Sequence, residues 1–139
     1  MPIGDLFWAD LPESDGVEQS GRRPVVLFQD DSYGRSLRTV LIVPLTSNLS
    51  AIRFPGTVSV PASNINRLTV DSIALVFQLR ALDRRRLVAK FGMVEQALVS
   101  VMHEALDRLT GRPRQPPPVS KPIPSPPPTI LPSERTLDI

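Results

Sequence analysis

Short apolar runs separated by polar, turn-forming residues occupy positions 3–93 of the chain. Within most of these runs the side chains alternate between apolar and polar, or are rich in β-branched residues, which is typical of β-strands. The connections between the runs are mostly tight. The pattern therefore predicts five to seven short strands, among them residues 3–10, 24–29, 38–46, 56–60, 71–80 and 87–93.

A single segment near the end of this region has a helical period instead. Residues 95–109 carry apolar side chains at spacings of three and four, which predicts a helix with one apolar stripe. Gly111 and Pro113 end it, and Val94 stands where a capping Ser or Asp would be expected. The predicted stripe consists of Leu98, Val101, Met102, Ala105 and Leu109.

Two of the predicted strands are apolar on both faces, as central strands are. Residues 38–46 contain Pro44, which predicts a bulge or an edge near the end of that strand. Residues 71–80 are interpreted as one continuous strand. Short strands followed by one C-terminal helix predict a mainly β fold: a strongly bent sheet or partly open barrel with the helix packed on it.

Proline usage divides the 139 residues into two parts. Ten of the sixteen prolines lie between Pro113 and Pro132. This predicts one folded domain over residues 1–111 and a tail over 112–139, with the composition of polyproline II or disorder. PxxP-like spacings in the tail leave recruitment of a proline-binding partner as an alternative to a plain disordered extension.

Composition excludes several classes of site. The chain has no cysteine, so disulfides and thiolate metal sites are ruled out, and a single histidine argues against a multi-histidine metal centre. His103, beside the predicted stripe, is interpreted as a surface side chain. No apolar run approaches the length of a membrane span and no secretory signal precedes the first strand. We therefore expect a soluble, cytoplasmic protein with no membrane partner.

Charge is distributed unevenly along the chain. Residues 32–92 contain nine basic residues against Asp71 and Asp83, and nearly all the cations are arginines. Because the planar guanidinium suits phosphate and carboxylate groups, this indicates a phosphate-rich or acidic partner. Charge counting alone favours the alternative, a solvated basic face.

The candidate chemistry lies in a polar loop before the second strand and at the ends of two long strands. Arginine and hydroxyl groups so placed could hold a phosphodiester and stabilise its charge. Taken singly, Arg23 could instead pair with Asp10 or Glu18, Thr46 could cap a strand end, and Gln78 could bridge loops. The candidates are Glu18, Gln19, Arg22 and Arg23; Thr46, Ser47 and Asn48; and Gln78 and Arg80.

These segments together resemble the MazF/PemK family of toxin ribonucleases from bacterial toxin–antitoxin pairs, over roughly residues 4–109. The matching segments stand in the family's order and at compatible spacing. They are residues 4–11 (GDLFWADL), 18–26 (EQSGRRPVV), 43–48 (VPLTSN), 71–80 (DSIALVFQLR) and 82–87 (LDRRRL).

The resemblance implies an SH3-like barrel of the MazF/PemK/CcdB type with a C-terminal helix, working as a homodimer without a cofactor. It implies sequence-specific, metal-independent cleavage of single-stranded RNA, above all mRNA, that inhibits translation and growth. The ribose 2′-hydroxyl would attack the adjacent phosphate, leaving a 2′,3′-cyclic phosphate and a free 5′-hydroxyl. The implied partner is an acidic, partly disordered antitoxin whose C-terminal segment fills the RNA groove, in a complex that binds DNA.

The resemblance also assigns roles to individual residues. Arginine, with a pKa above about 12, is a poor general base, so the base could be Glu18, water or an unusually placed guanidinium. By position in the matched motifs, the catalytic residues are Arg23, Thr46 and the loop glutamate Glu18, and the RNA-binding residues are Gln19, Ser47, Asn48, Gln78 and Arg80.

Two positions depart from the family pattern. Val17 stands where a small hydroxyl residue often precedes the glutamate, and Phe77 stands where an acidic residue commonly precedes the glutamine. Both changes could alter RNA contacts or base preference. The alternative function is a non-catalytic binding module, either a degenerate toxin or a CcdB-like topoisomerase poison; intact Arg23 and Thr46 argue against it.

Overall fold

The computed structural model describes residues 1–13 and 20–112. Glu18, Gln19 and the proline-rich tail therefore lie outside the described residues. In the described part, the strands and the helix are β1 Asp5–Leu11, β2 Gly21–Leu27, β3 Thr39–Thr46, β4 Thr57–Val60, β5 Ser72–Leu75, β6 Arg80–Asp83, β7 Leu87–Met93 and α1 Gln96–Leu109. Short 3-10 helices occupy Asp31–Tyr33, Leu49–Arg53, Val76–Gln78 and Arg84–Arg86.

All the strands pair antiparallel in one bent sheet with the order β4-β5-β3-β2-β1-β7, and β6 pairs with β3 as well. The first strand therefore pairs with the last, with Asp5 opposite Met93. The strands at the two ends of this path, β4 and β7, do not pair with each other. The predicted mainly β fold with a C-terminal helix is confirmed, and its barrel is open rather than closed. The helix of the described chain is too short and too polar to cross a membrane.

Strand β3 is the centre of the sheet because it pairs with three others. It pairs with β2 along one edge, while residues 39–42 pair with β6 and residues 45–46 pair with β5. Pro44 lies opposite Val25 and falls in the gap where the partner changes from β6 to β5. Instead of the predicted bulge or edge, the proline, which has no N–H to donate, lies at a change of partner.

The prediction of one continuous strand over residues 71–80 is wrong. The chain forms β5, a 3-10 turn closed by a hydrogen bond from Leu79 N to Val76 O, and then β6. The reason is the bend of the sheet: a straight strand could not follow both halves of β3. The break leaves Gln78 only 8% exposed and turns Phe77 outward to 39% exposure.

The core lies on both faces of the sheet, because alternate residues of β2 enter different clusters. Val26 packs with the helix-covered cluster, and Val25 packs with a second cluster on the opposite face. Each large side chain buried this way contributes about 1.5–3 kcal/mol. The helix-covered cluster includes Leu6, Val26, Phe28, Val43, Leu45, Val58, Val60 and Val76, and the opposite cluster includes Phe7, Ala9, Leu11, Val25, Leu27, Val40, Ile42 and Leu82.

The helix is confirmed, but its buried stripe differs from the predicted one. Val99, Met102 and Ala105 are buried, whereas Val101 and Leu109 are each 40% exposed. The packing direction depends on the sheet beneath the helix, which the period alone does not reveal. The side chain of Glu95, at the N-cap, makes no capping bond. As predicted, His103 is exposed, and its ring lies 4.5 Å from that of Phe28.

Candidate functional site

The two arginines at the start of β2 have different partners. Pairing of β1 with β2 places Arg22 opposite Asp10. Arg22 donates from Nε and Nη2 to the two oxygens of Asp10, at 2.8 and 3.1 Å, which lowers the pKa of that carboxyl. Arg23 instead donates from Nε to the carbonyl of Ser20 at 3.1 Å. The carboxylate of Asp10 is therefore occupied by Arg22, which disfavours an Asp10–Arg23 pair.

A cavity of about 450 Å³, here called the arginine cavity, opens beside these residues. Three arginines, three hydroxyl-bearing residues and two aromatic rings line it, and the rings of Trp8 and Phe91 lie 5.4 Å apart. Trp8 is 40% exposed, so its indole face is available to a ligand. The lining residues include Trp8, Arg22, Arg23, Ser47, Arg67 and Phe91.

A smaller cavity of about 220 Å³, here called the threonine cavity, lies on the other side of the end of β3. Thr46 is almost buried, and its Oγ1 accepts a hydrogen bond from Asn48 N at 3.2 Å. Asn48 Oδ1 accepts from the backbone N–H and the hydroxyl of Ser50, at 3.2 and 2.7 Å, and so caps the 3-10 helix Leu49–Arg53. The lining residues include Thr46, Asn48, Phe54, Phe77 and Gln78.

The end of β3 connects the two cavities. Ser47 lines the arginine cavity and its neighbour Thr46 lines the threonine cavity. The β2–β3 ladder ends at the pair Val25–Pro44, and Arg23 and Thr46 each lie two residues beyond that pair on their own strands. Arg23 and Thr46 therefore lie at the same end of neighbouring strands, each facing its own cavity.

The structure distributes the other predicted site residues as follows. Gln78 joins Thr46 and Asn48 in the threonine cavity because the 3-10 break buries it there. Arg80 is half-buried at the start of β6, opposite Ile42, and lines neither cavity.

Sequence reasoning missed several residues of the arginine cavity, among them Trp8, Arg67 and Phe91. Alternation would place Trp8 on the same face of β1 as Leu6, but Leu6 is fully buried and Trp8 is 40% exposed. Arg67 belongs to an irregular segment without a motif. Only the exposed position of the single tryptophan among arginines could have suggested a ligand site, and that position is a property of the fold.

Comparison with known proteins gives consistent matches. "Endoribonuclease MazF" of Staphylococcus saprophyticus is 33% identical over 107 residues, covering 77% of this chain and 88% of that relative. A crystal structure of MazF from Deinococcus radiodurans is 27% identical with a TM-score of 0.67, covering 80% of this chain and 96% of that one. An endoribonuclease in complex with its cognate antitoxin, from a mycobacterial species, has the same fold at 21% identity and a TM-score of 0.67, covering 83% and 99%.

The fold and the site together define a class of protein, the small β toxins of the kind seen in the MazF structures. The defining features are an open, bent antiparallel sheet, a C-terminal helix, and cavities lined by arginine and hydroxyl groups. The family description "PemK-like, MazF-like toxin of type II toxin-antitoxin system" matches residues 3–110. The chain belongs to this family. The predicted resemblance is therefore confirmed, and so is the predicted enzyme class, since its relatives are endoribonucleases by name.

Proposed function

We propose that the protein is a toxin endoribonuclease that cuts single-stranded RNA at specific sequences, without a metal or cofactor, and is neutralised by a cognate antitoxin. The observation that carries the proposal is the position of Arg23 and Thr46 at the same end of β2 and β3, two residues beyond the last pair of their ladder, with each residue lining a cavity. An RNA strand crossing this end would place one phosphate between a guanidinium and a hydroxyl.

Thr46 is suited to donate to that phosphate. A hydroxyl has one proton and two lone pairs. Because Oγ1 accepts the N–H of Asn48, the hydroxyl is held in place while its proton stays available for a phosphate oxygen. A pre-positioned donor of this kind stabilises charge that develops in the transition state.

The proposed reaction uses the RNA's own nucleophile. The 2′-oxygen forms a bond to phosphorus and loses its proton to a base, while the bond from phosphorus to the 5′-oxygen breaks and that oxygen gains a proton. The products are a 2′,3′-cyclic phosphate and a 5′-hydroxyl. Arg23 and Thr46 would stabilise the added negative charge on the phosphate. Glu18, water and a guanidinium all remain candidates for the base.

The proposed RNA contacts fall into two groups. Ser47 would act in the arginine cavity, and Asn48 and Gln78 would act in the threonine cavity. Gln19 and Arg80 are proposed from the family motifs alone. We further propose a homodimer in the cytoplasm, an acidic antitoxin that occupies the RNA groove, and DNA binding by the toxin–antitoxin complex. The antitoxin-bound structure of a neighbour with this fold supports the antitoxin partner.

The test is cleavage of a mixed single-stranded RNA pool in excess chelator, with sequencing of the 5′-hydroxyl ends. We expect Arg23→Ala to lower the cleavage rate by about 10²–10³-fold, as loss of a transition-state donor does, with an unchanged circular dichroism spectrum. Arg35→Ala, an exposed arginine that lines neither cavity, is the matched control and should keep full activity. Full activity of Arg23→Ala would refute the site. Growth inhibition by an Arg23→Ala, Thr46→Ala double variant would support the non-catalytic alternative.

A further inference from the structure

Arg67 has an unusual backbone. Its φ of +60° is the only positive φ of a non-glycine residue in the described chain. An arginine is strained in this left-handed region and a glycine is not. Strain of this kind persists where the surroundings fix it and is concentrated at binding and catalytic sites. The strained backbone therefore indicates that the side chain of Arg67 has a function at this position.

The surroundings of Arg67 fix its position firmly. Its N–H donates to Ser63 O at 2.9 Å. Its neighbour Asn66 is fully buried, and Asn66 Oδ1 accepts the N–H groups of Ser63 and Leu68 at 2.9 and 3.0 Å. Gly92 of β7 approaches so closely that a Cβ built there would lie 2.2 Å from Asn66 O. The loop between β4 and β5 is thereby locked onto β7.

This lock places Arg67 on the wall of the arginine cavity, with Arg23 and Ser47 among the other lining residues. Arg67 also lines a shallow groove of about 580 Å³ along β7, which includes Lys90. The side chain of Arg67 is exposed, and within the described residues it forms no ion pair, whereas Arg22 is paired with Asp10. The guanidinium is therefore available to an anion that enters the cavity.

We propose that Arg67 binds an RNA phosphate next to the one at Arg23, so that the strand continues from the arginine cavity into the groove along β7. This inference rests on the proposed function and adds a binding residue to the same site. A guanidinium can grip two oxygens of one phosphate. The left-handed backbone is the means by which the locked loop presents that group.

The test uses Arg67→Gly, which removes the charge and also relieves the backbone strain. Trp8 is the only tryptophan of the chain and lines the same cavity, so its fluorescence reports occupancy. The probe is a mixed-sequence single-stranded RNA with 2′-O-methyl groups, which cannot be cut by 2′-hydroxyl attack. We expect about tenfold weaker binding and a salt slope, log K against log salt, smaller by about 0.7, the value for one lost phosphate contact on a single strand.

If Arg67 had only a structural role, Arg67→Gly would lower the melting temperature. Because the substitution removes backbone strain, we expect the melting temperature of Arg67→Gly to be unchanged or raised. Arg67→Lys should restore the wild-type salt slope, and Arg35→Gly, with the same loss of charge away from both cavities, should leave the slope unchanged. Wild-type affinity and slope in Arg67→Gly would overturn the proposal while leaving the proposed function intact. Failure of the wild-type protein to bind the probe or cut RNA would overturn the proposed function itself.

Discussion

The arginine cavity and the threonine cavity share the end of β3 but hold their polar groups by different means. The arginine cavity has a charged rim, with the Arg22–Asp10 ion pair and the cation of Arg67, which has no ion pair within the described part of the chain. The threonine cavity has neutral polar groups, held by hydrogen bonds between Thr46, Asn48 and Ser50. The charged side is suited to the sugar–phosphate chain, which carries charge but no sequence information. The neutral side supplies the Thr46 hydroxyl to the reacting phosphate and is suited to the edges of bases, where hydrogen bonds discriminate.

The walls of the two cavities also differ. The arginine cavity depends on a loop locked to β7 through Asn66 and Gly92, far from β3 in sequence. The threonine cavity depends on the two 3-10 turns, Leu49–Arg53 and Val76–Gln78, which adjoin β3 directly. Changes to β7, or to the loop between β4 and β5 that packs on it, should therefore affect the arginine cavity and leave the threonine cavity unchanged.

The largest expected effect comes from Gly92→Ala. A Cβ at 2.2 Å from a carbonyl oxygen forces the loop off β7, which should lower the free energy of unfolding by roughly 3 kcal/mol. Denaturant titration measures this loss. Gly34→Ala is the control, since its Cβ meets its nearest atom at 3.3 Å and its φ is −62°. An unchanged midpoint for Gly92→Ala would contradict the lock.

Thr46→Val should act on the other cavity and on catalysis. It keeps the shape of the side chain and removes the hydroxyl, so the cleavage rate should fall by about 10–100-fold, or about 1.4–2.7 kcal/mol. Binding of the uncleavable RNA at Trp8 should change little, because the arginine cavity is intact. Thr46→Ser should keep most of the activity. Equal losses of binding and cleavage in Thr46→Val would show that the two cavities do not act separately.

A smaller effect should follow from Glu95→Gln, which weakens the lock without touching either cavity. Glu95 accepts hydrogen bonds from the Ser63 hydroxyl at 2.6 Å and the Asn66 amide at 3.4 Å, and chiefly the first lowers its pKa. An amide replaces one of those acceptor oxygens, so we expect a loss of about 1 kcal/mol at neutral pH.

The pH dependence of this variant follows from the sign of the shift. A carboxyl whose pKa is lowered by folding stabilises the protein above its unfolded pKa, near 4.3, and that contribution is lost as pH falls through the folded pKa. The melting temperatures of wild type and Glu95→Gln should therefore converge below about pH 4. A gap that stays constant down to the folded pKa and below would contradict this role of the carboxylate.

The smallest effect is expected for Asp10→Asn, since the Asp10–Arg22 pair is exposed and such pairs add little stability. The variant tests the charge of the arginine cavity, because removal of the Asp10 carboxylate releases the Arg22 cation beside it. RNA should therefore bind more tightly, with a steeper salt slope. Fluorescence titration of Trp8 at two salt concentrations measures this. Weaker binding by Asp10→Asn would mean that the pair orients Arg22 for the ligand.

Much of the fold could be predicted because local sequence patterns determine where most of the strands lie. Alternation and turn residues place β7 at residues 87–93 and β3 within a residue of its observed start. The apolar run over residues 71–80 could not reveal its 3-10 break, because β5 and two of the three turn residues, Val76 and Gln78, are buried and the bend belongs to the whole sheet. The prediction of the buried helix stripe was wrong at Val101 for a similar reason, since the sheet beneath the helix determines which face of the helix is buried.

The candidate site shows the same difference between residues in local motifs, which could be predicted, and residues placed by long-range contacts, which could not. Arg23, Thr46 and Gln78 lie in short motifs, so a resemblance could find them, although their placement in two cavities could not be foreseen. Arg67 is brought to the arginine cavity by a left-handed backbone and by the approach of Gly92, two contacts that join distant parts of the chain. Such features have no local sequence pattern and appear only when the loop packs against β7 in the folded protein.

The pairing of the first strand with the last has a consequence for how the protein is made. β1 and β7 are separated by almost the whole domain, and pairings of this span form late and slowly. While the ribosome is still translating the chain, β7 and its Gly92 surface are missing, and the loop that carries Arg67 has nothing to lock onto. The arginine cavity would thus be completed only after β7 has been synthesised, so a nascent chain that stops before β7 would not carry a finished site beside the mRNA that encodes it.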